Sequence, residues 1–480
     1  MTLQNLRVAI VGAGPAGIYA GNILRRQVAA LGQEVGAELE LSIDLFESLP
    51  APYGLIRYGV APDHPRIKGI VNSLHEMLDS GDVRLIGNVE IGRDIEVAEL
   101  RERYDAVIFA TGALRDAPLN VPGVELPGSF GSADFVAWYD GHPDVPREWP
   151  LEAESIAVIG NGNVALDVAR VLAKHPKDLL STDIPENVYE GLAASPVTDV
   201  HVFGRRGPGH VKFTPIELRE LGEVPDVDIV VYDEDFEAAA GDPHAEALHA
   251  SSNQVKVMTR TLNGWRKPAD WVPTASRRLH LHFLHGPVEI TGDGRVESVR
   301  FERTRPAGDG SVVGTGVFVD YPVQAVYRAV GYASSPLPGV PFDEVAAVIP
   351  NVEGRVVDEH GTPLPGVYAT GWIKRGPVGL IGHTKGDALE TVTHLLADAQ
   401  AGILPRPVED AGADVLELLQ ERGVPFTTWE GWLALDAHER GLGEAFSSDG
   451  FEVPVARERI KVVSRDEQVE ISRSGALVDS

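Results

Sequence analysis

The chain has 480 residues, 43% hydrophobic and 24% charged, the balance of a globular protein long enough for two or three domains. Its 71 acidic and 42 basic residues leave a net charge of −29, which argues against a nucleic-acid partner and has solubility as its plain reading. It contains no cysteine, so disulfides, cysteine-held metal or iron–sulfur centres and dithiol redox chemistry are excluded. No apolar run approaches the ~20 residues that span a bilayer, and no leader pattern precedes the first strand, so the expectation is a cytoplasmic protein with no membrane partner.

A strand over Arg7–Val11 runs into Gly12-Ala13-Gly14-Pro15-Ala16-Gly17. A helix over Ala16–Gln33 and a second strand, Glu40–Phe46, follow, the latter ending in Glu47. This is the strand–turn–helix–strand–acid order of a dinucleotide fingerprint. Gly12 permits the tight turn, Gly14 lets the backbone approach a pyrophosphate, and Gly17 allows close helix–strand packing. The helix N-terminus adds unpaired N–H groups and a positive dipole end. Glu47 can accept hydrogen bonds from a ribose with a free 2′-hydroxyl, which suits FAD or NAD and disfavours NADP. The alternative is an ordinary glycine turn in an α/β fold.

Residues 49–68 read as a Pro/Gly-punctuated loop. A helix from Ile67 to Ser80 and strands at Val83–Leu85 and Ala106–Ala110 come next, with a crossing to another domain expected after Thr111-Gly112. The second unit begins near Glu154. Strand Ile156–Ile159 meets Gly160-Asn161-Gly162-Asn163-Val164-Ala165, followed by a helix over Asn163–His175 and a strand over Asp199–Phe203. Arg205 and Arg206, not an acid, stand beyond that strand. Two guanidiniums fit a 2′-phosphate, so this turn is read as the NADP(H) site, the alternative being an exposed arginine pair on a loop. Asn161 and Asn163 offer amides to the pyrophosphate or ribose, and capping of the helix is the other use for one of them.

Residues 225–250 hold eight acidic residues and no Lys or Arg and read as a solvated edge or loop. Residues 280–329 look antiparallel, with turns at 292–294 and 308–310. Strand Val323–Ala329 leads to Val330-Gly331-Tyr332, where the chain is expected to return to the first domain. Strand Gly366–Thr370, a glycine-rich loop and a helix over Lys385–Leu396 follow, with 405–480 expected as helices and loops on the first domain. The predicted fold is α/β with two Rossmann-like dinucleotide-binding domains. An NADP domain (114–329) is inserted into a discontinuous FAD domain (1–113 and 330–480).

The most specific stretch is Pro52–Pro65, PYGLIRYGVAPDHP. Here the chain resembles the adrenodoxin reductase family of ferredoxin–NADP⁺ reductases, its bacterial members above all. Gly160–Arg170, Gly204–Pro208, Glu217–Leu221, Gly371–Pro377 and Trp429–Arg440 carry the resemblance further. It implies FAD contacts at Ala16, Glu47, Leu55, Val89, Trp372, Gly379, Leu380 and Ile381. It implies NADP(H) contacts at Asn161, Gly162, Asn163, Val164, Arg205, Arg206, Glu217 and Gly379. His64 and Glu217 are implied at the flavin–nicotinamide contact as the catalytic pair. Their plain structural uses are a loop pin and a first-turn acid facing the helix dipole.

Trp372 stands where related disulfide reductases usually carry Asp. With the absence of cysteine, it argues against their chemistry. Lys212, Val378 and His383 depart from the family pattern. The resemblance implies hydride transfer from NADPH to flavin, then single-electron steps to a ferredoxin-type iron–sulfur protein. A cytochrome P450 is one oxidase such a carrier would feed, and a monomer or weak dimer is expected. Candidate docking residues are Arg57, Arg66, Lys68, Arg205, Lys212, Arg219, Lys374 and Arg375. A flavin monooxygenase or quinone-type reductase is the competing enzyme reading, and a nucleotide-binding regulatory protein is the non-enzymatic one.

Overall fold

The computed structural model describes residues 5–268, 270–379, 381–407, 414–447 and 455–475. Its first sheet has seven strands in the order Asn351–Val352, Arg355–Val357, Pro363–Ala369, Ala106–Phe109, Asn5–Val11, Glu40–Phe46 and Arg84–Ile86. The last five run parallel. A parallel sheet is covered on both faces, so its strands are apolar runs rather than alternating ones. Val8, Ala9 and Ile10 on the central strand are accordingly all buried. On one face, helices Pro15–Val35 and Ile381–Gln400 pack together, with Leu24 and Val28 in one core with Ala388, Val392 and Leu395.

The second sheet is also seven-stranded: Arg266–Lys267, Val227–Tyr232, Arg277–His282, Asp199–Phe203, Ser155–Ile159, Ala325–Arg328 and Ser129–Gly131. All its pairings are parallel. Helix Asn163–Ala173 covers one face through Leu166, Val168 and Leu172. An antiparallel sheet of His285–Thr291, Ser298–Pro306 and Val312–Pro322 covers part of the other, where Phe203 stacks on Phe301 at 4.1 Å. The fold is thus α/β with two Rossmann-like parallel sheets. The chain passes between them at Arg115–Asp116 and again at Tyr332–Ala333, and these two short strands pair antiparallel. Among the described residues no helix is long and apolar enough to cross a membrane.

Three expectations change. The loop 49–68 contains two single-turn helices, Leu55–Tyr58 and Pro65–Lys68, and the next helix, Ile70–Asp79, starts only after Gly69. The acidic stretch 225–250 lies near the edge of the second sheet and is mostly exposed or half-buried, but it is regular structure rather than loop. It forms strand Val227–Tyr232 and helices Asp233–Ala238 and Pro243–Ser251. Its charges interleave with the buried Ile229, Val230 and Val231, and Asp235 is itself buried, 2.7 Å from the Arg303 guanidinium. The C-terminal segment packs on the first sheet through Trp432, Leu435 and Val462. It also straps the inserted segment, where Arg457 bonds Glu186 and Arg465 bonds Asp144.

That tail is tied to the first unit by a fully buried fork. Arg57 donates to Glu439 Oε2 at 3.0 Å and Oε1 at 2.5 Å. Its guanidinium lies 5.1 Å from the ring centroids of both Tyr58 and Trp432. Removing one partner of such a pair leaves an uncompensated buried charge. R57M should therefore lower unfolding stability by about 3–5 kcal/mol, while the double variant R57M/E439M recovers most of the loss in denaturant titrations. Equal stability of R57M and the parent would contradict this account of the fork.

Candidate functional site

The two glycine turns have nearly the same backbone. Gly12 and Gly160 sit at φ +110° and +146°, where L side chains are strained. A Cβ would also meet Ala110 O at 2.5 Å or Ala329 O at 2.1 Å. Gly17 is needed for packing, since a Cβ there would lie 1.9 Å from Gly12 O. Gly14 and Gly162 differ from these. A Cβ would meet only Gly54 Cα at 3.9 Å in the first case and nothing within 4 Å in the second. Each is the N-cap of its helix, and neither receives a side-chain cap. Open space above unpaired helix N–H groups is the cradle a pyrophosphate requires.

The surroundings of the two turns diverge. Beside the first, the buried Glu47 carboxylate accepts from Ala13 N at 2.9 Å and from Leu49 N at 3.1 Å. Burial raises its pKa despite these bonds. Val89 is held next to it by Val89 N→Glu47 O at 2.9 Å. The positive φ of Tyr53 and Gly54 brings Gly54 against the turn, where a Cβ would meet Gly14 Cα at 3.1 Å, with Tyr53 N donating to Ala13 O at 2.8 Å and Leu55 following directly. Gly371 meets the start of the first helix so closely that a Cβ would lie 2.7 Å from Ala16 Cβ. Trp372 follows directly, its ring 6.5 Å from that of Tyr332. Gly379 has φ +88° and abuts the His383 ring, and Val378 is exposed. Leu380 and the Ile381 side chain lie outside the described residues.

Beside the second turn, Arg205 is exposed and Arg206 half-buried. Their backbone is clamped by Thr304 Oγ1→Arg205 O at 2.8 Å and Leu284 N→Arg206 O at 3.2 Å. Asn163 does not cap its own helix. Its Oδ1 accepts from Thr214 N at 3.0 Å, tying the turn to helix Pro215–Gly222. Asn161 packs on Gly204, Val164 is half-buried, and Asn161 O accepts from Lys212 N at 3.3 Å.

Between the turns lies a buried ionic seam. His64, only 3% exposed, caps the helix Pro65–Lys68 from the first unit. Its Nε2 is 2.8 Å from Asp167 Oδ1 and its Nδ1 2.6 Å from Glu220 Oε2. Arg170 forks onto Asp63 at 2.8 and 2.9 Å, and Lys174 reaches the same carboxylate at 2.8 Å. Burial opposes the charge on His64, but the bond to Asp167 and its field outweigh it, and the pKa rises above 6.5. This pairing therefore stabilises fully below pH 6.5 and fades as the pH climbs through the raised value. Glu217 is buried with no hydrogen-bond partner on Oε2 among the described residues, and burial raises its pKa.

The seam thus joins His64 with Asp167, Arg170, Asp63 and Glu220, residues whose roles the sequence reading did not single out. A signal was present. Asp167/Arg170 and Glu217/Glu220 are i, i+3 pairs, which share a helix face. The proposed docking set, in contrast, is corrected. Arg57, Lys68 and Lys374 are consumed in buried or nearly buried ion pairs with Glu439, with Asp140 and Asp183, and with Asp387. Elsewhere, Asp199, His201 and His280 stand within metal-sharing distance, but Arg278 already holds both Asp199 oxygens at 2.5 Å. D167N should lower the His64 titration midpoint, followed by NMR of labelled histidine. An unchanged midpoint would show that Asp167 does not support the imidazolium.

Comparison with known proteins agrees with this geometry. The pyridine nucleotide-disulphide oxidoreductase family model matches residues 6–190. The NADPH-ferredoxin reductase FprA of Mycobacterium tuberculosis is 39% identical over 474 residues, covering 97% of this chain and 98% of that one. The mitochondrial NADPH:adrenodoxin oxidoreductase of Homo sapiens is 38% identical over 448 residues, covering 91% and 88%. The structure of Mycobacterium tuberculosis FprA in complex with NADPH superposes with a TM-score of 0.85 at 38% identity, over 98% of this chain and all of that one. With the paired turns and the seam between them, these near-full-length matches mean that the chain belongs to the adrenodoxin reductase family of NADPH–ferredoxin reductases.

Proposed function

We propose that the chain is an NADPH:ferredoxin oxidoreductase that holds FAD at the first turn and NADP(H) at the second. The observation that carries this reading is the contrast between two matching turns, one beside Glu47 and the other beside Arg205 and Arg206, with the His64 seam between them. The proposed FAD unit is 1–113 with 330–480, and the proposed NADP unit is 114–329. Bound FAD supplies the conversion of a two-electron hydride into single electrons.

The chain's own residues bind, orient and hold charge. Gly14, Ala16, Glu47, Leu55, Val89, Trp372 and Gly379, with Leu380 and Ile381, are assigned to FAD. Asn161, Gly162, Asn163, Val164, Arg205, Arg206 and Glu217 are assigned to NADP(H), with Gly379 shared. Glu217, whose pKa burial raises, is assigned to the nicotinamide side of the boundary. At the same boundary Asp167 and the Glu220 carboxylate raise the His64 pKa against burial and the neighbouring Arg170. With no cysteine in the chain, electrons have no internal dithiol to reach, which favours an outside carrier.

The partner we assign is a ferredoxin-type iron–sulfur protein, docking on Arg66, Lys212 and Arg219. These are exposed and have no carboxylate partner among the described residues. A cytochrome P450 beyond that carrier, a cytoplasmic location and a monomeric or weakly dimeric state belong to the same proposal.

Anaerobic stopped-flow mixing of the purified yellow protein with NADPH and with NADH, followed by a [2Fe–2S] ferredoxin, tests the reading. NADPH should reduce the flavin at least roughly tenfold more efficiently than NADH, and R206A should erase most of that preference. Equal efficiency with both nucleotides, or no ferredoxin reduction, would overturn it. The glycines provide a second test. G162A should unfold like the parent yet bind NADP⁺ roughly tenfold or more weakly in calorimetric titration, because its methyl enters the open cradle. G17A should lose FAD and stability together, because its methyl collides with Gly12 O. Tight NADP⁺ binding by G162A would place the nucleotide elsewhere.

A further inference from the structure

Behind the His64 seam, two lysines and two aspartates form a second buried knot. Lys461 comes from the C-terminal tail, and its side chain is 1% exposed. Its Nζ donates to Arg57 O at 2.9 Å, to Asp140 O at 3.0 Å and to Asp183 Oδ2 at 2.9 Å. An ammonium has three N–H donors, so these three acceptors saturate it. Lys68 donates to the same Asp183 Oδ2 at 2.9 Å and to the Asp140 carboxylate, at Oδ1, at 3.1 Å.

The four residues come from separate segments. Arg57 O lies in the single-turn helix that begins at Leu55, and Lys68 ends the single-turn helix capped by His64. Asp140 closes helix Ser132–Tyr139, and Asp183 precedes helix Glu186–Ala194. Both aspartates belong to the inserted segment. The tail therefore reaches past the first unit and holds the loop of Leu55 and His64 against that segment.

Stability alone is a poor reason for this arrangement. Asp140 Oδ2 and Asp183 Oδ1 are buried without a hydrogen-bond partner among the described residues. Burial pushes the Asp140 carboxyl up to about 6, and burial together with Lys68 pushes the Lys461 ammonium down to about 8. A buried ionic cluster with unsatisfied atoms is weak evidence for stability, and fixing register is its best-attested use.

We propose that Lys461 is a positioning residue for hydride transfer, registering the inserted NADP unit against the flavin-side loop. This rests on the assignment of the two turns under Proposed function. Lys461 touches neither assigned nucleotide site and acts through Arg57 O and Asp140. Small displacements of reacting groups cost rate steeply, roughly a hundredfold for about 1 Å.

Three readouts on K461M holoenzyme test the proposal. The limiting rate of flavin reduction at saturating NADPH should fall roughly tenfold or more, with NADP⁺ affinity and FAD content close to the parent's. The long-wavelength charge-transfer absorbance of the enzyme–NADPH mixture should weaken. Without any nucleotide added, hydrogen–deuterium exchange should quicken in peptides covering 55–69 and 132–142 and stay unchanged in strand 5–11. A parent-like reduction rate with parent-like absorbance would overturn the proposal. If K461M does not retain FAD, D183N decides, because it keeps Lys461 bonded to Arg57 O and Asp140 O while it weakens the hold of Lys461 and Lys68 together on Asp183 of the inserted segment. The same loss of rate supports the proposal, and a parent-like rate in D183N overturns it. Failure of the parent itself to be reduced by NADPH would instead refute the function assigned above.

Discussion

The molecule depends on one boundary, where Asp63 and His64 of the first unit meet Asp167 and Arg170 of the inserted one. Arg170 and His64 are only 1% and 3% exposed. Charges taken out of water at that depth are tolerable only when each has its partner. Arg170 is neutralised by Asp63 across the boundary and by Asp167 on its own helix. The seam can therefore form only when the two sheets stand in one relation. Because His64 and Asp63 lie on the loop that carries Leu55, and Asp167 and Arg170 on the helix that opens at Gly162, that relation fixes the loop of the first turn against the helix of the second.

Within that frame the two turns share a backbone and differ in what stands at the end of the next strand. Glu47 is buried and hydrogen-bonded back to the first turn. Arg205 remains exposed, with its backbone clamped by the antiparallel sheet. That clamp explains what the extra three strands do. They hold the backbone of the loop that carries Arg205 and Arg206, which in the proposed NADP(H) site lowers the entropy lost on gripping a phosphate.

Much of this was legible in the residues. Strands Glu40–Phe46 and Asp199–Phe203 match their predicted bounds, because apolar runs between turn residues leave little freedom. The open and closed glycines were readable too, since each has a distinct steric task. What escaped was pairing over long sequence distance. Arg57 looked like a surface cation, yet its partner Glu439 lies 382 residues away. Lys68 pairs with Asp140 and Asp183 from another unit, and Lys374 is buried beside Asp387 only 13 residues on, which charge composition does not report. The acidic stretch after residue 225 looked solvated because eight acids conceal one buried strand and Asp235 beneath Arg303. Asp167 and Glu220 were within reach through their helical spacing from Arg170 and Glu217.

A double-mutant cycle across Asp63 and Arg170, read as the limiting rate of flavin reduction by NADPH, tests most directly whether buried charge at the boundary sets the transfer geometry. If the two residues act as one contact between units, D63N/R170M loses no more rate than the worse single variant. If the losses in D63N and R170M simply multiply, the two residues act independently and the seam does not govern how the nucleotides meet.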